Sequence, residues 1–118
     1  MDYRMSKILL RRENGRIRHQ RLKTAKEKGD HNYYDWVEMT QLFNYTCVRC
    51  LCDCYDLGLV KDHITPIYQG GSNGLDNIQP LCRTCNSSKG PESIDFRKSA
   101  SEILGIQLPE KYFGGVNG

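Results

Sequence analysis

The sequence predicts a small α+β domain in which two short strands and a short helix gather around a four-cysteine zinc site, flanked by further helices. Three observations carry this reading. Two matched CxxC pairs, Cys47/Cys50 and Cys82/Cys85, are separated by residues 51–81. Two β-prone runs, LGLVKDHI and IQPLC, lead up to the second pair and are divided by the turn-rich stretch YQGGSNGLDN. Upstream, Trp36, Met39, Thr40 and Phe43 recur at i, i+3, i+4 and i+7, one face of a helix.

A chain of 118 residues is one domain by length. Its hydrophobic content of 38% and mean hydropathy of −0.63 allow only a modest core, so a metal that helps hold the fold makes physical sense. No apolar run of membrane-spanning length occurs. The start, MDYRMSKILLRRENGRIRHQ, has no apolar segment of the kind a signal peptide carries. A cytoplasmic location is therefore expected. In a reducing compartment six cysteines read as metal ligands rather than disulfides.

The charge is unevenly placed. The formal net charge is +3, but residues 1–28 hold ten Lys/Arg against three Asp/Glu, a local charge of +7, and the remainder holds seven against eleven, −4. A basic arm ahead of a mildly acidic body suggests a polyanionic partner, most simply nucleic acid; the plainer reading is a solvated helix.

Taking the elements in order, residues 1–15 are expected to be poorly ordered up to Gly15, and RIRHQRLKTAKEKG to form a helix over 16–29 with Gly29 as its stop. Asn32 is the N-cap of a second helix, with Asp35 in the capping-box position. Trp36 and Phe43 are core residues. The first CxxC occupies a tight turn, and a strand ends near His63. Gly70, Gly71 and Gly74 supply positive φ between the strands. IQPLC is the second strand, RTCNSSK a short helix ending at Gly90-Pro91, and a last helix places Phe96, Ala100, Ile103 and Leu104 on one face. The domain map is a basic helical arm over 1–30, a body over 31–104 and a flexible tail over 105–118.

Each CxxC pair places two thiolates one tetrahedral edge apart, so Cys47, Cys50, Cys82 and Cys85 close a structural zinc site with no open position for substrate. Cys52 and Cys54 are spare thiols or alternative ligands. The zinc leaves Asp62, His63, Asn77 and Asn86 unexplained. A carboxylate and an amide oxygen suit a hard cation such as Mg²⁺, and a neutral imidazole deprotonates water; together these parts suit metal-assisted phosphodiester hydrolysis. Singly, each has a duller reading: a surface Asp-His pair, a turn cap, a helix cap. His31 is assigned no direct role, and His19 is read as solvated.

With these residues in view, DHITPIYQGGSNGLDNIQPLCRTCNSSKG resembles the HNH endonuclease motif, the ββα-metal nuclease finger, from about Cys47 to Gly90. The resemblance implies His63 as general base and Asp62 as ligand of a catalytic Mg²⁺ or Mn²⁺. It implies Asn77 as the central asparagine that braces the loop and so orients His63. Asn86 stands where the name has its second His and is implied as the other metal ligand; Lys89 takes the position of a basic residue near the phosphate. The chain departs from the family at Leu51-Cys52-Asp53-Cys54, where the pattern has glycine and no further cysteine.

The function expected is a metal-dependent endonuclease acting on DNA, double-stranded most simply, with RNA left open as a substrate. Arg11, Arg12, Arg16, Arg18, Arg21 and Lys23 would grip phosphates without reading sequence. The resemblance also admits a homodimer, a partner in phage DNA packaging, and a bacterial or phage-infected cell as the setting. The rivals are a zinc module that binds nucleic acid without cutting it and a purely structural zinc domain.

Overall fold

A computed structural model describes residues 3–113. The chain runs as α1 (Tyr3–Lys28), α2 (Tyr33–Leu42), β1 (Val60–His63), β2 (Ile78–Leu81), α3 (Arg83–Lys89) and α4 (Arg97–Leu104), with short 3₁₀ turns at Ile67–Gln69, Leu75–Asn77 and Glu110–Phe113. This is the expected mixed architecture: helices around a two-stranded antiparallel sheet beside four clustered cysteines.

α1 is longer than the sequence reading allowed. It passes through Gly15 without a break. A mid-helix glycine costs about 1 kcal/mol relative to alanine, and the Arg, Lys, Gln and Leu residues on either side are strong helix formers. From Leu10 to Lys28 only Ala25 is buried. The helix is held at its C-terminal end, where the Lys28 ammonium donates to the carbonyl of Gly70 at 2.7 Å. α2 starts on the expected capping box: the Asn32 side chain accepts from the Asp35 N–H, and the Asp35 carboxylate accepts from the Asn32 N–H. Its apolar face puts Met39 and Phe43 in the core.

β1 and β2 pair in the register Val60↔Leu81, Lys61↔Pro80, Asp62↔Gln79 and His63↔Ile78. Two four-residue strands are marginal alone. Here they lean on a core of Met39, Phe43, Cys47, Val48, Ile78, Leu81, Ala100 and Tyr112. The Val48 N–H also donates to the carbonyl of Pro80, which ties the first cysteine turn to β2.

The loop between the strands explains its glycines, though not all as expected. Gly70 adopts φ +95. Gly71 and Gly74 have no positive φ and serve close approach instead. A Cβ on Gly71 would meet the Thr65 carbonyl oxygen at 1.9 Å, and one on Gly74 would lie 3.4 Å from the backbone of Gly29, at the end of α1.

α4 corrects a second expectation. Ala100 is buried, but Ile103 is 68% exposed and Leu104 also faces solvent. The helix packs through its first turn. The buried Arg97 guanidinium donates to the carbonyls of Leu75, Asp76 and Ile78 and to the Asp95 carboxylate. The expected tail also begins too early. Ile106 and Leu108 pack on the core and Tyr112 is fully buried within it; residues 114–118 lie outside the described residues.

Candidate functional site

Four sulfurs form the first part of the site. The Sγ atoms of Cys47, Cys50, Cys82 and Cys85 all lie within 4.8 Å of one another. Cys50 and Cys82 are 3.9 Å apart, close to the edge of a tetrahedron with Zn–S bonds of about 2.3 Å. Cys82 caps α3 by accepting the Cys85 N–H. That bond draws the Cys82 thiol down to about 7. The Cys52 N–H pulls Cys50 the same way, but burial and the thiols of Cys52 and Cys47 outweigh it and push Cys50 up to about 11. Burial, first, and the crowded sulfurs raise Cys85 further. Thiols this close resist ionising together, and a soft cation at their centre is what allows all four to do so. The donor set therefore fits a zinc-like ion. Cys52 and Cys54 stand outside the cage, their sulfurs 3.2 Å from each other.

The second part is an open cavity of about 440 Å³ beside the sheet. Lys61, Asp62 and His63 from β1 line it, together with Asn86 from α3 and with Tyr68, Gly90 and Pro91. Successive strand residues normally face opposite sides; at this strand end all three share one cavity. The pairing partner of Asp62 explains its setting. Gln79 donates to its Oδ2 at 2.9 Å, and the Lys89 ammonium lies 3.2 Å from the same oxygen. Oδ1 has only a 3.5 Å contact with Lys89, so it retains free acceptor capacity. Asn86 has no side-chain hydrogen bond among the described residues, and its N–H is part of the α3 ladder.

Lys89 is a correction. A residue that contacts phosphate must be exposed, yet this side chain is fully buried, paired with Asp62 and donating to the carbonyl of Ile64 at 3.2 Å. Burying an acid next to the second strand requires a cation, and the last turn of α3 supplies it. Arg11, Arg12, Arg16, Arg18, Arg21 and Lys23 are all exposed along α1, with Arg16 3.5 Å from Glu13.

Asn77 reaches three backbone groups. Its Oδ1 accepts the Thr65 N–H, and its Nδ2 donates to the carbonyls of Thr65 and Ser72. The ring of His63 is met by a different residue: Nε2 lies 2.9 Å from Oδ1 of Asn73. His31 also joins the site. Its Nδ1 donates to the Asn73 carbonyl at 2.6 Å, and its Nε2 accepts from the Lys61 ammonium at 2.6 Å. Burial lowers the pKa of that ammonium, opposed by the charge of Asp30, and it lies 5.4 Å above the Trp36 ring. Asn73, His31, Lys61 and Gln79 were not singled out from the sequence. A strand partner for Asp62 was in principle legible from the β1–β2 register; the rest had no local signal.

Residues 47–92 match the family model of the HNH endonucleases. Over that span the chain is similar to an HNH domain. No curated protein and no solved structure matches it significantly. The matched span takes in both CxxC pairs, β1, β2 and α3, and thus every residue of the cavity. HNH domains are nuclease domains that act on DNA, and the cysteine cage suits a zinc-like site. No helix among the described residues is long and apolar enough to cross a membrane.

Proposed function

We propose that this protein is an endonuclease that hydrolyses phosphodiester bonds in DNA, with His63 as general base and Asp62 and Asn86 as ligands of a catalytic Mg²⁺ or Mn²⁺. The observation that carries the reading is the convergence of Asp62, His63 and Asn86 on one open cavity within the span similar to an HNH domain. An acid oxygen with spare acceptor capacity and an amide oxygen make a hard donor set, which suits these ions and not a soft one. When bound, such a cation supplies charge neutralisation at the scissile phosphate and the leaving oxygen.

His63 takes the proton from the attacking water. Asn73 Oδ1 accepts from Nε2–H, so Nδ1 is the basic nitrogen of the neutral ring. Lys89 and Gln79 keep the Asp62 carboxylate in place. Asn77 braces the loop that follows β1. Lys61 adds positive charge at the cavity wall, where a phosphate would sit. The arm residues Arg11, Arg12, Arg16, Arg18, Arg21 and Lys23 hold the DNA backbone without reading its sequence. Cys47, Cys50, Cys82 and Cys85 hold a structural zinc. The arm is read as residues 1–30 and the nuclease body as 31–104 extended to the packed segment that ends at Tyr112. One cavity cuts one strand, so a double-strand break requires a second copy or two successive nicks.

The rival reading, a zinc module that binds nucleic acid without cutting, draws on one observation: Asp62 is already engaged by Lys89 and Gln79. Supercoiled plasmid separates the two. With Mg²⁺ or Mn²⁺ the wild type should yield nicked or linear product, and His63→Ala should lose on the order of 10² to 10⁴ of that rate. If both proteins are equally inert while DNA still binds, the rival replaces the nuclease.

A further inference from the structure

Asn73 is only 8% exposed, yet each of its four polar groups has a partner. Its N–H is shared by the carbonyls of Ala25 and Gly29, both at 3.1 Å, at the end of α1. Its carbonyl accepts from His31 Nδ1. Its Nδ2 donates to Asp30 Oδ1 at 2.6 Å, and its Oδ1 lies 2.9 Å from His63 Nε2. The directions of these bonds are forced. The Asp30 carboxylate can only accept, so the NH₂ end of the amide faces Asp30 and the oxygen end faces His63. An oxygen facing Nε2 requires the proton there and leaves Nδ1 as the basic nitrogen. That bond also fixes the plane of the ring.

We propose that Asn73 is a positioning residue for His63, set in its orientation by Asp30, so that the end of the basic helix aims the general base. The proposal rests on the nuclease reading above for its catalytic consequence, but its geometry does not. Asn77 and Asn73 divide the work. Asn77 holds the loop by its backbone and makes no hydrogen bond to the His63 ring, whereas Asn73 touches the ring and is itself held by residues 25–31. Lys28 to Gly70 fastens the same junction independently, so loss of the Asn73 side chain leaves the arm docked.

The test is a swap in the full-length protein. Asn73→Ala removes the acceptor. Asn73→Asp sets two carboxylates against each other at the Asp30 contact. The double variant Asp30→Asn/Asn73→Asp restores a donor facing an acceptor, now reversed in origin, and still offers His63 an oxygen. Plasmid cleavage at saturating DNA should fall on the order of 10- to 100-fold in kcat for each single variant, a part of the loss expected for removing the base itself. KM for DNA should change by less than about twofold, and the swap should recover most of the Asn73→Asp loss. In parallel, the His63 Nε2 proton should appear in the ¹H–¹⁵N spectrum as a slowly exchanging ring resonance in the wild type and the swap, and vanish in Asn73→Ala. Zinc content and melting temperature report folding, and if Asn73→Ala does not fold, the Asn73→Asp and swap pair decides. The proposal is overturned if the ring proton is absent in the wild type or survives Asn73→Ala, if Asn73→Ala keeps its kcat, or if the swap gives no recovery. A wild type that does not cut at all, with the ring proton behaving as described, overturns the nuclease reading and leaves the positioning geometry standing.

Discussion

The Lys89 side chain is fully buried, and its ammonium meets the Asp62 carboxylate and the carbonyl of Ile64. Its loss would strand a buried acid. Lys89→Met, which keeps the volume and removes the charge, should therefore destabilise the protein by about 3–5 kcal/mol in a urea titration. A change below about 1 kcal/mol would instead mean that Asp62 finds solvent or a cation to replace the lysine. At this scale the motif residues were legible from the sequence because their chemistry is written in local spacing: CxxC, Asp-His, and Asn86 next to Cys85. Asn73, His31 and Lys61 were not, since each acts through partners 10 to 43 residues away. The distance between Asn73 and Asp30 in the chain says nothing until α1 docks on the glycine loop. Lys89 was misplaced for a related reason. A lysine in the last turn of a short helix reads as solvated, and only the fold reveals the acid beneath it.

Among the elements, α4 depends on one ionic contact. Asp95 accepts from the Arg97 N–H, Nε and Nη2, all within 3.0 Å, and thereby shapes the guanidinium that grips the carbonyls of Leu75, Asp76 and Ile78. Partial burial pushes the Asp95 carboxyl up, but the bonds to Arg97 outweigh it and hold it below its ordinary value of 3.8. A depressed folded-state value stabilises the protein above the unfolded value and loses that contribution as pH falls through the folded one. Comparing urea midpoints of wild type and Asp95→Asn from about pH 6 down to about pH 2.5 should therefore show a gap that closes on acidification. A gap of constant size would mean that the carboxylate charge is not what Arg97 uses. The elements legible beforehand were those with strong local signals: the Asn32–Asp35 capping box, the strand ending at His63 and the helix after Cys82. Those misread were decided by tertiary contacts. α4 turns on a buried arginine rather than an apolar stripe, the segment around Tyr112 returns to the core, and Gly15 gives way to its helix-forming neighbours.

For the molecule as a whole, the sheet is two short strands and the core is small, so metal binding in the cysteine cage is expected to supply much of the folding free energy. Binding of a structural zinc contributes on the order of 10 kcal/mol. The purified protein should contain one zinc per chain. Stripping it with a strong chelator should abolish cooperative thermal unfolding followed through Trp36 fluorescence, and adding zinc back should restore it. Cys52→Ser and Cys54→Ser should retain that stoichiometry, whereas Cys47→Ser or Cys85→Ser should lose it. A drop in zinc content in Cys52→Ser would place that residue among the ligands.

α3 is seven residues long, about 10 Å. Within that length it carries Cys82 at its cap, Cys85 one turn in, Asn86 on the cavity wall and Lys89 against Asp62. Nothing elastic separates the sulfur end from the acid end. An oxidant or a thiol-seeking metal that enters at the exposed Cys50 would thus dismantle the frame around Asp62 and His63 without coming near either. The vulnerable atom of this cavity is a sulfur, not the oxygens and nitrogens that line it.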